Sequence, residues 1–228
     1  MKKIIIKTLP IILLSSTSFS MTEGFYAGAS VGVLDQISKI SVTDIDTTER
    51  TVFSVDQGST GFAGVLALGY TYIMNNFAIT VQADANFANS DVNLSVTNVD
   101  VLGTNATSFS LKNKSSYGLN VRPAYVANDC LSTYLVLGYR RGNFDASISD
   151  VGPGQPAFSI SNSFNRNGFE YGVGTEFAIN DQLGLRLEMT QTTYQSNTLF
   201  SVAGQGSATA TNKVNQGLVS LVWYPYIA

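Results

Sequence analysis

The chain has no histidine and a single cysteine, Cys130, which removes most catalytic chemistry at the outset. Serine and cysteine nucleophiles need a positioned base or relay, most often histidine. No cluster stands at metal-ligand spacing. Gly172 and Gly174 do not complete a GxGxxG pattern and precede no helix, so no nucleotide or other cofactor is expected. The charged residues singled out within the alternating segments are Asp84, Arg122, Arg140, Glu170, Glu176, Arg186 and Glu188. Two of the carboxylates could serve a glycosidase, but such a pair belongs in an open cleft. Each of the seven instead lies within a run of alternating character, with apolar side chains on the opposite face. Acids and arginines gathered on one enclosed face are tolerable only when they pair. The expectation is a plug of ion pairs, with a gated water path as the other reading.

The elements that position these residues are strands. Residues 77–87 place Phe77, Ile79, Val81, Ala83, Ala85 and Phe87 on one face. Ala78, Thr80, Gln82, Asp84 and Asn86 fall on the other, since strand side chains alternate with period two. Eleven alternating residues exceed the usual soluble strand and match the roughly 9–11 needed to cross a bilayer. Seven more segments alternate: 24–34, 62–72, 117–123, 134–140, 168–177, 184–190 and, most weakly, 213–224. In the sixth of these, Leu187 is assigned to lipid and its neighbour Arg186 to the interior.

Asn75-Asn76, Asn128-Asp129 and Asn180-Asp181 stand about 52 residues apart as short turns, where Asn and Asp tolerate positive φ. The other connections, 35–60, 88–114, 143–166 and 195–211, are long and polar. Short turns at one end and long loops at the other are the asymmetry of outer-membrane barrels. A bilayer also demands closure, because each unpaired backbone group in hydrocarbon costs several kcal/mol. The fold class expected is therefore all-β: an eight-stranded antiparallel up-and-down transmembrane β-barrel.

Composition agrees. The chain carries 13 Phe and 11 Tyr, is only 13% charged, and has a mean hydropathy of +0.12. Residues 1–20 read as an export signal: Lys2, Lys3 and Lys7 are basic, a short apolar stretch follows, and Ser18-Phe19-Ser20 suits cleavage. Residues 21–228 then form one barrel domain. Without those three lysines, 10 basic residues face 16 acidic ones, a balance that argues against nucleic acid. Cys130 has no intramolecular cysteine partner.

Three segments carry a resemblance: Gly24-Phe25-Tyr26-Ala27-Gly28-Ala29, Tyr117-Gly118-Leu119-Asn120-Val121-Arg122-Pro123, and Tyr171-Gly172-Val173-Gly174-Thr175-Glu176-Phe177. They resemble strand patterns of the OmpA/opacity-like outer-membrane β-barrel family. The resemblance implies surface loops that act as antigens or adhesins. Such barrels commonly end on a Phe read by the assembly machinery. Here the end is Trp223-Tyr224-Pro225-Tyr226-Ile227-Ala228, so that role would fall to Trp223, Tyr224 or Tyr226. The resemblance includes no peptidoglycan-binding domain. The outer-membrane phospholipases, palmitoyl transferases, lipid A deacylases and omptin-type proteases resemble one another in needing histidine, so no enzyme is expected.

Two functional readings stand. One is a monomeric structural surface protein, antigen or adhesin in a Gram-negative outer membrane. Its partners would be outer-membrane lipids and lipopolysaccharide, and a host or matrix ligand held by the loops. The other is a narrow small-solute channel. Within 35–60, Asp44, Asp46, Glu49 and Phe53 are the candidate recognition residues, because acids and apolar side chains occur together there. The alternative for Phe53 and its neighbours is that they extend strands above the membrane.

Overall fold

The computed structural model describes residues 22–45, 50–100, 103–151, 158–202 and 206–225. The signal-peptide reading of residues 1–20 lies outside them. Nine strands follow in order: β1 (Gly24–Ile45), β2 (Arg50–Met74), β3 (Phe77–Asp100), β4 (Gly103–Asn128), β5 (Leu131–Val151), β6 (Phe158–Ala178), β7 (Leu183–Tyr194), β8 (Asn197–Val202) and β9 (Gly206–Trp223). Each pairs antiparallel with its neighbour, and β1 closes on β9 from Ala27–Trp223 upward. β7 and β8 lie end to end along the same edge of β9, so the ring has eight strands.

The pairing sets the barrel's dimensions. From Trp223, the row of partners runs through Ala27, Leu68, Ala83, Leu119, Tyr139, Phe169 and Thr193, and returns to β9 at Lys213. That point is ten residues from the start. Eight strands with this stagger must tilt by roughly 40° and enclose a barrel of roughly 8 Å backbone radius. An interior that narrow is filled by side chains.

The assigned faces hold in all eight walls. Phe62, Leu66, Leu68, Leu119, Leu137, Val173, Leu187, Val219 and Leu221 are exposed toward lipid. Thr80, Gln82, Asn120, Arg122, Arg186 and Ser220 are buried inside. The outward aromatics form two belts. Phe25, Tyr70, Tyr72, Phe77, Tyr125, Phe177 and Trp223 stand around the short-turn end, while Phe62, Phe87, Tyr117, Tyr139 and Phe169 form an arc over β2 to β6 at the other. Tyr125 and Tyr117 are eight residues apart on β4, which is about 20 Å along the axis at this tilt. The pattern suits rings that sit at the two membrane interfaces.

Two expectations need correction. The segments 35–60, 88–114, 143–166 and 195–211 are mostly strand rather than loop. β1 reaches Ile45 and β2 begins at Arg50; β3 and β4 run to Asp100 and from Gly103. Their Ser, Thr and Val content suits strands, and their lack of clean alternation reflects an absence of lipid on the outside. The short turns also differ from expectation in detail. Asn75 does adopt positive φ, at 54°. The second turn instead centres on Asp129-Cys130, where Asn128 Oδ1 accepts from the Cys130 amide at 3.0 Å. In the third, Asn180 Oδ1 accepts from the amides of Gln182 and Leu183 at 2.8 and 2.7 Å. In these two turns asparagine works through its side chain rather than through backbone freedom.

Candidate functional site

Strands β3 to β7 bring the seven singled-out charges into one column within the barrel, all buried. Arg140 on β5 stands between two acids, with Nη1 2.8 Å from Asp84 and Nη2 donating to both Glu170 oxygens at 2.9 and 3.1 Å. Arg122 on β4 meets Glu188 on β7 at 3.0 Å. Arg186 on β7 donates through Nε to Glu176 on β6 at 2.6 Å. The Arg122–Glu188 and Arg140–Asp84 Oδ1 contacts are close but off the line of a hydrogen bond, so they act as charge pairs.

Neutral groups join the pairs into one network. Asn120 donates to Asp84 at 2.9 Å and accepts from Arg122 Nε at 2.9 Å. Gln82 donates to Asp84 at 3.4 Å and accepts from Arg186 at 3.3 Å and from the Tyr26 hydroxyl at 2.6 Å. At the short-turn end, Tyr224 donates to Glu176 at 3.0 Å and receives from Arg186 Nη2 at 3.2 Å. Its ring lies against Tyr26 with centroids 5.5 Å apart. The Arg186 guanidinium sits 4.3 Å from the Tyr26 ring centroid. Three arginines among four acids thus have partners on nearly every side, the condition under which buried charge is tolerable.

Sequence reasoning gave no role in the charge network to Tyr26, Gln82, Asn120 and Tyr134, and gave Tyr224 a role only in assembly. The signal for two of them was present as glycine on the neighbouring strand. Tyr26 pairs with Gly69, and Tyr134 pairs with Gly174. A Cβ at Gly69 or Gly174 would meet the facing ring at 2.6 or 2.5 Å. The rings therefore lie flat over glycine on the adjacent strand, rather than crossing from the far wall. Of the chain-end aromatics, Trp223 faces lipid and Tyr224 plugs the interior, while Tyr226 lies outside the described residues.

Above the ionic column the interior turns apolar. Leu34, Val92, Leu111, Phe144, Tyr194 and Val214 form one buried cluster, with Phe144 and Tyr194 edge to face at 5.0 Å. The cavities beside the charges measure about 20 and 10 Å³, room for about one water and less than one.

Beyond the upper aromatic belt the barrel divides. β2 and β3 pair from Met74–Phe77 up to Phe62–Asn89, and β6 pairs with β7 up to Gly168–Tyr194. Among the described residues the β2–β3 ladder goes no higher, and the β6–β7 one is continued only by the Gln195 amide donating to the Asn167 carbonyl at 2.9 Å. Two four-stranded sheets rise from there, one ordered β2-β1-β9-β8 and the other β3-β4-β5-β6. The register of β3 slips between Phe87 and Ser90, and that of β4 between Asn113 and Ser115. These bulges turn the second sheet away, as bulges bend a ladder. Ser90 Oγ donates to Gln36 across the base of the split at 2.8 Å. On the second sheet Lys112 bridges to Asp91 at 2.9 Å, and Lys114 to Asp145.

Of the candidate recognition residues, Asp44 and Phe53 belong to β1 and β2, where they pair with Thr51 and Val42. Their side chains, and Asp46 and Glu49 altogether, lie outside the described residues. Phe53 does stand in a strand extension, not a loop.

Among solved structures, the chain is similar to the attachment invasion locus protein Ail of Yersinia pestis. The identity is 16% and the TM-score 0.40, over 89% of this chain and 99% of that one. It is similar to the outer membrane protease OmpT of Escherichia coli, at 10% identity and a TM-score of 0.50, over 92% and 99%. Neisserial surface protein A is similar at 15% identity and a TM-score of 0.38, over 86% and 96%. At such identities these likenesses concern the fold alone. No curated protein matches the sequence. A family model for the outer membrane protein beta-barrel domain matches residues 8–221, and with the closed ring and its two aromatic belts this means the chain belongs to that family.

Proposed function

We propose that this barrel is a monomeric surface interaction protein, not a channel and not an enzyme, exported by the signal at residues 1–20. The observation that carries the reading is the division of its walls into two extracellular four-stranded sheets. Division leaves open edges on β2, β3, β6 and β8. An open edge offers a row of backbone donors and acceptors to any extended polypeptide, largely independent of its sequence. A host or matrix protein with an exposed extended segment is the partner this chemistry fits. The channel reading is disfavoured by the apolar cluster stacked on the ion-paired column. The enzyme reading is disfavoured by the absence of histidine and by carboxylates already neutralised by arginine.

Whole cells displaying the protein should bind matrix-coated surfaces, and deleting residues 41–54 and 94–109, which cuts back the β2 and β3 edges, should lower binding. Unchanged binding with normal surface display would reduce the protein to a structural role. Purified barrels in planar bilayers should show no persistent open state; a steady conductance would restore the channel.

A further inference from the structure

The outer aromatic belt is broken on one side. β2, β3, β4, β5 and β6 each present an outward Phe or Tyr at that level. The adjoining β7, β9 and β1 present Gln191, Asn215 and Val33 in the same zone. Just below the break two apolar grooves of about 490 and 510 Å³ adjoin on the lipid-facing surface. Their walls are Val33, Val173, Leu187, Met189 and Val219, and Gly217 forms the floor. A Cβ at Gly217 would meet only Val33, at 3.8 Å. The hollow is thus made by a missing side chain and not by crowding.

The polar end of the groove is ordered. The Tyr171 hydroxyl donates to Gln191, and Gln191 Nε2 donates to Asn215 Oδ1 at 2.5 Å. This leaves the Asn215 amide hydrogens to donate outward. Two residues further from the membrane on the same face of β9 stands Lys213, exposed. Asp35, the register partner of Asn215 on β1, also lines this end, with Oδ1 3.9 Å from where a Cβ on Gly58 of β2 would stand. Read inward along β9, the outer face runs ammonium, amide, bare backbone, then Val219 and Leu221. That sequence of chemistries matches an acylated anionic lipid, with a phosphate at Lys213, a hydrogen-bonding linkage at Asn215 and an acyl chain over Gly217.

We infer that the β7–β9–β1 face is a binding site for a phosphorylated, acylated lipid of the outer leaflet. The experiment is native mass spectrometry of the full chain, released from nanodiscs of phosphatidylcholine that contain a minor fraction of lipid A. The parent protein should retain one lipid A in preference to phosphatidylcholine. Asn215→Ala should lower the retained fraction about two- to tenfold, the worth of one hydrogen bond. Gly217→Phe, which fills the floor, and Lys213→Ala should lower it as well. Leu119→Phe on the opposite wall should leave it unchanged. Heat-dependent gel mobility confirms that each variant is folded. Equal retention of phosphatidylcholine, or retention indifferent to Gly217→Phe and Asn215→Ala, would overturn the site. A dimer mass that Gly217→Phe abolishes would also overturn it, and would assign the groove to a second copy of the chain.

Discussion

Arg140 shows most directly what each buried charge demands. It is the shared cation of Asp84 and Glu170, so its loss leaves two carboxylates confined together. Arg140→Met is expected to destabilise the barrel by about 3–5 kcal/mol, the usual penalty for stranding a buried ion. Adding Glu170→Gln should recover part of that loss, as read from urea unfolding of protein folded into vesicles. Gly174 makes a second demand, one of space. Gly174→Ala drives a Cβ into the Tyr134 ring and should cost about 1–3 kcal/mol, as overpacking does. In a Tyr134→Ala background the same change should cost much less, so a double-mutant cycle would show strong coupling.

Outside the membrane, Asp145 reports on the second sheet. Hydrogen bonding to Lys114, and then to Ser163, holds its carboxyl below the usual carboxylate range. A depressed folded value means support that is present above the unfolded value of about 3.9 and lost as pH falls through the depressed one. Asp145→Asn should therefore speed amide exchange in the upper parts of β4 and β5 at neutral pH. The difference from the parent chain should vanish in acid. A difference that persists at low pH would mean that the contact acts through packing and not charge.

At the scale of the strand, the assigned facing can be tested on β7. Leu187 is 42% exposed toward lipid, while Arg186 and Glu188 on either side are buried. Leu187→Arg should cost about 2–4 kcal/mol, because a cation then sits near the bilayer midplane. Leu187→Ala should cost less, since it removes apolar area without placing a charge in lipid. Folding of Leu187→Arg at parent stability would disprove the register of this strand. The alternation of each wall was legible in the sequence because lipid on one side and a narrow interior on the other impose it residue by residue. The strand extensions were legible only as the alternative reading of Phe53 and its neighbours, because above the membrane neither face meets hydrocarbon. Val42, Thr43, Val52 and Phe53 then satisfy strand propensity without a period to betray it.

At the scale of the whole molecule, closure is the dominant stabilising device. A ring without edges resists detergent, so unheated protein should migrate differently from boiled protein on gels. Identical mobility with helical circular dichroism would contradict the fold.

Much of this protein was determined by local sequence. The number of walls, their inward and outward faces, and the presence of seven charges inside a narrow barrel follow from period-two alternation alone. What pairs with what was decided only by tertiary structure. Arg140 reaches Asp84 and Glu170 on two different strands, and Tyr224 finds Glu176 because a ten-residue stagger brings distant heights together. The division into two sheets and the groove over Gly217 likewise depend on which strand neighbours which. Such relations between strands leave no trace in the order of residues along any one of them.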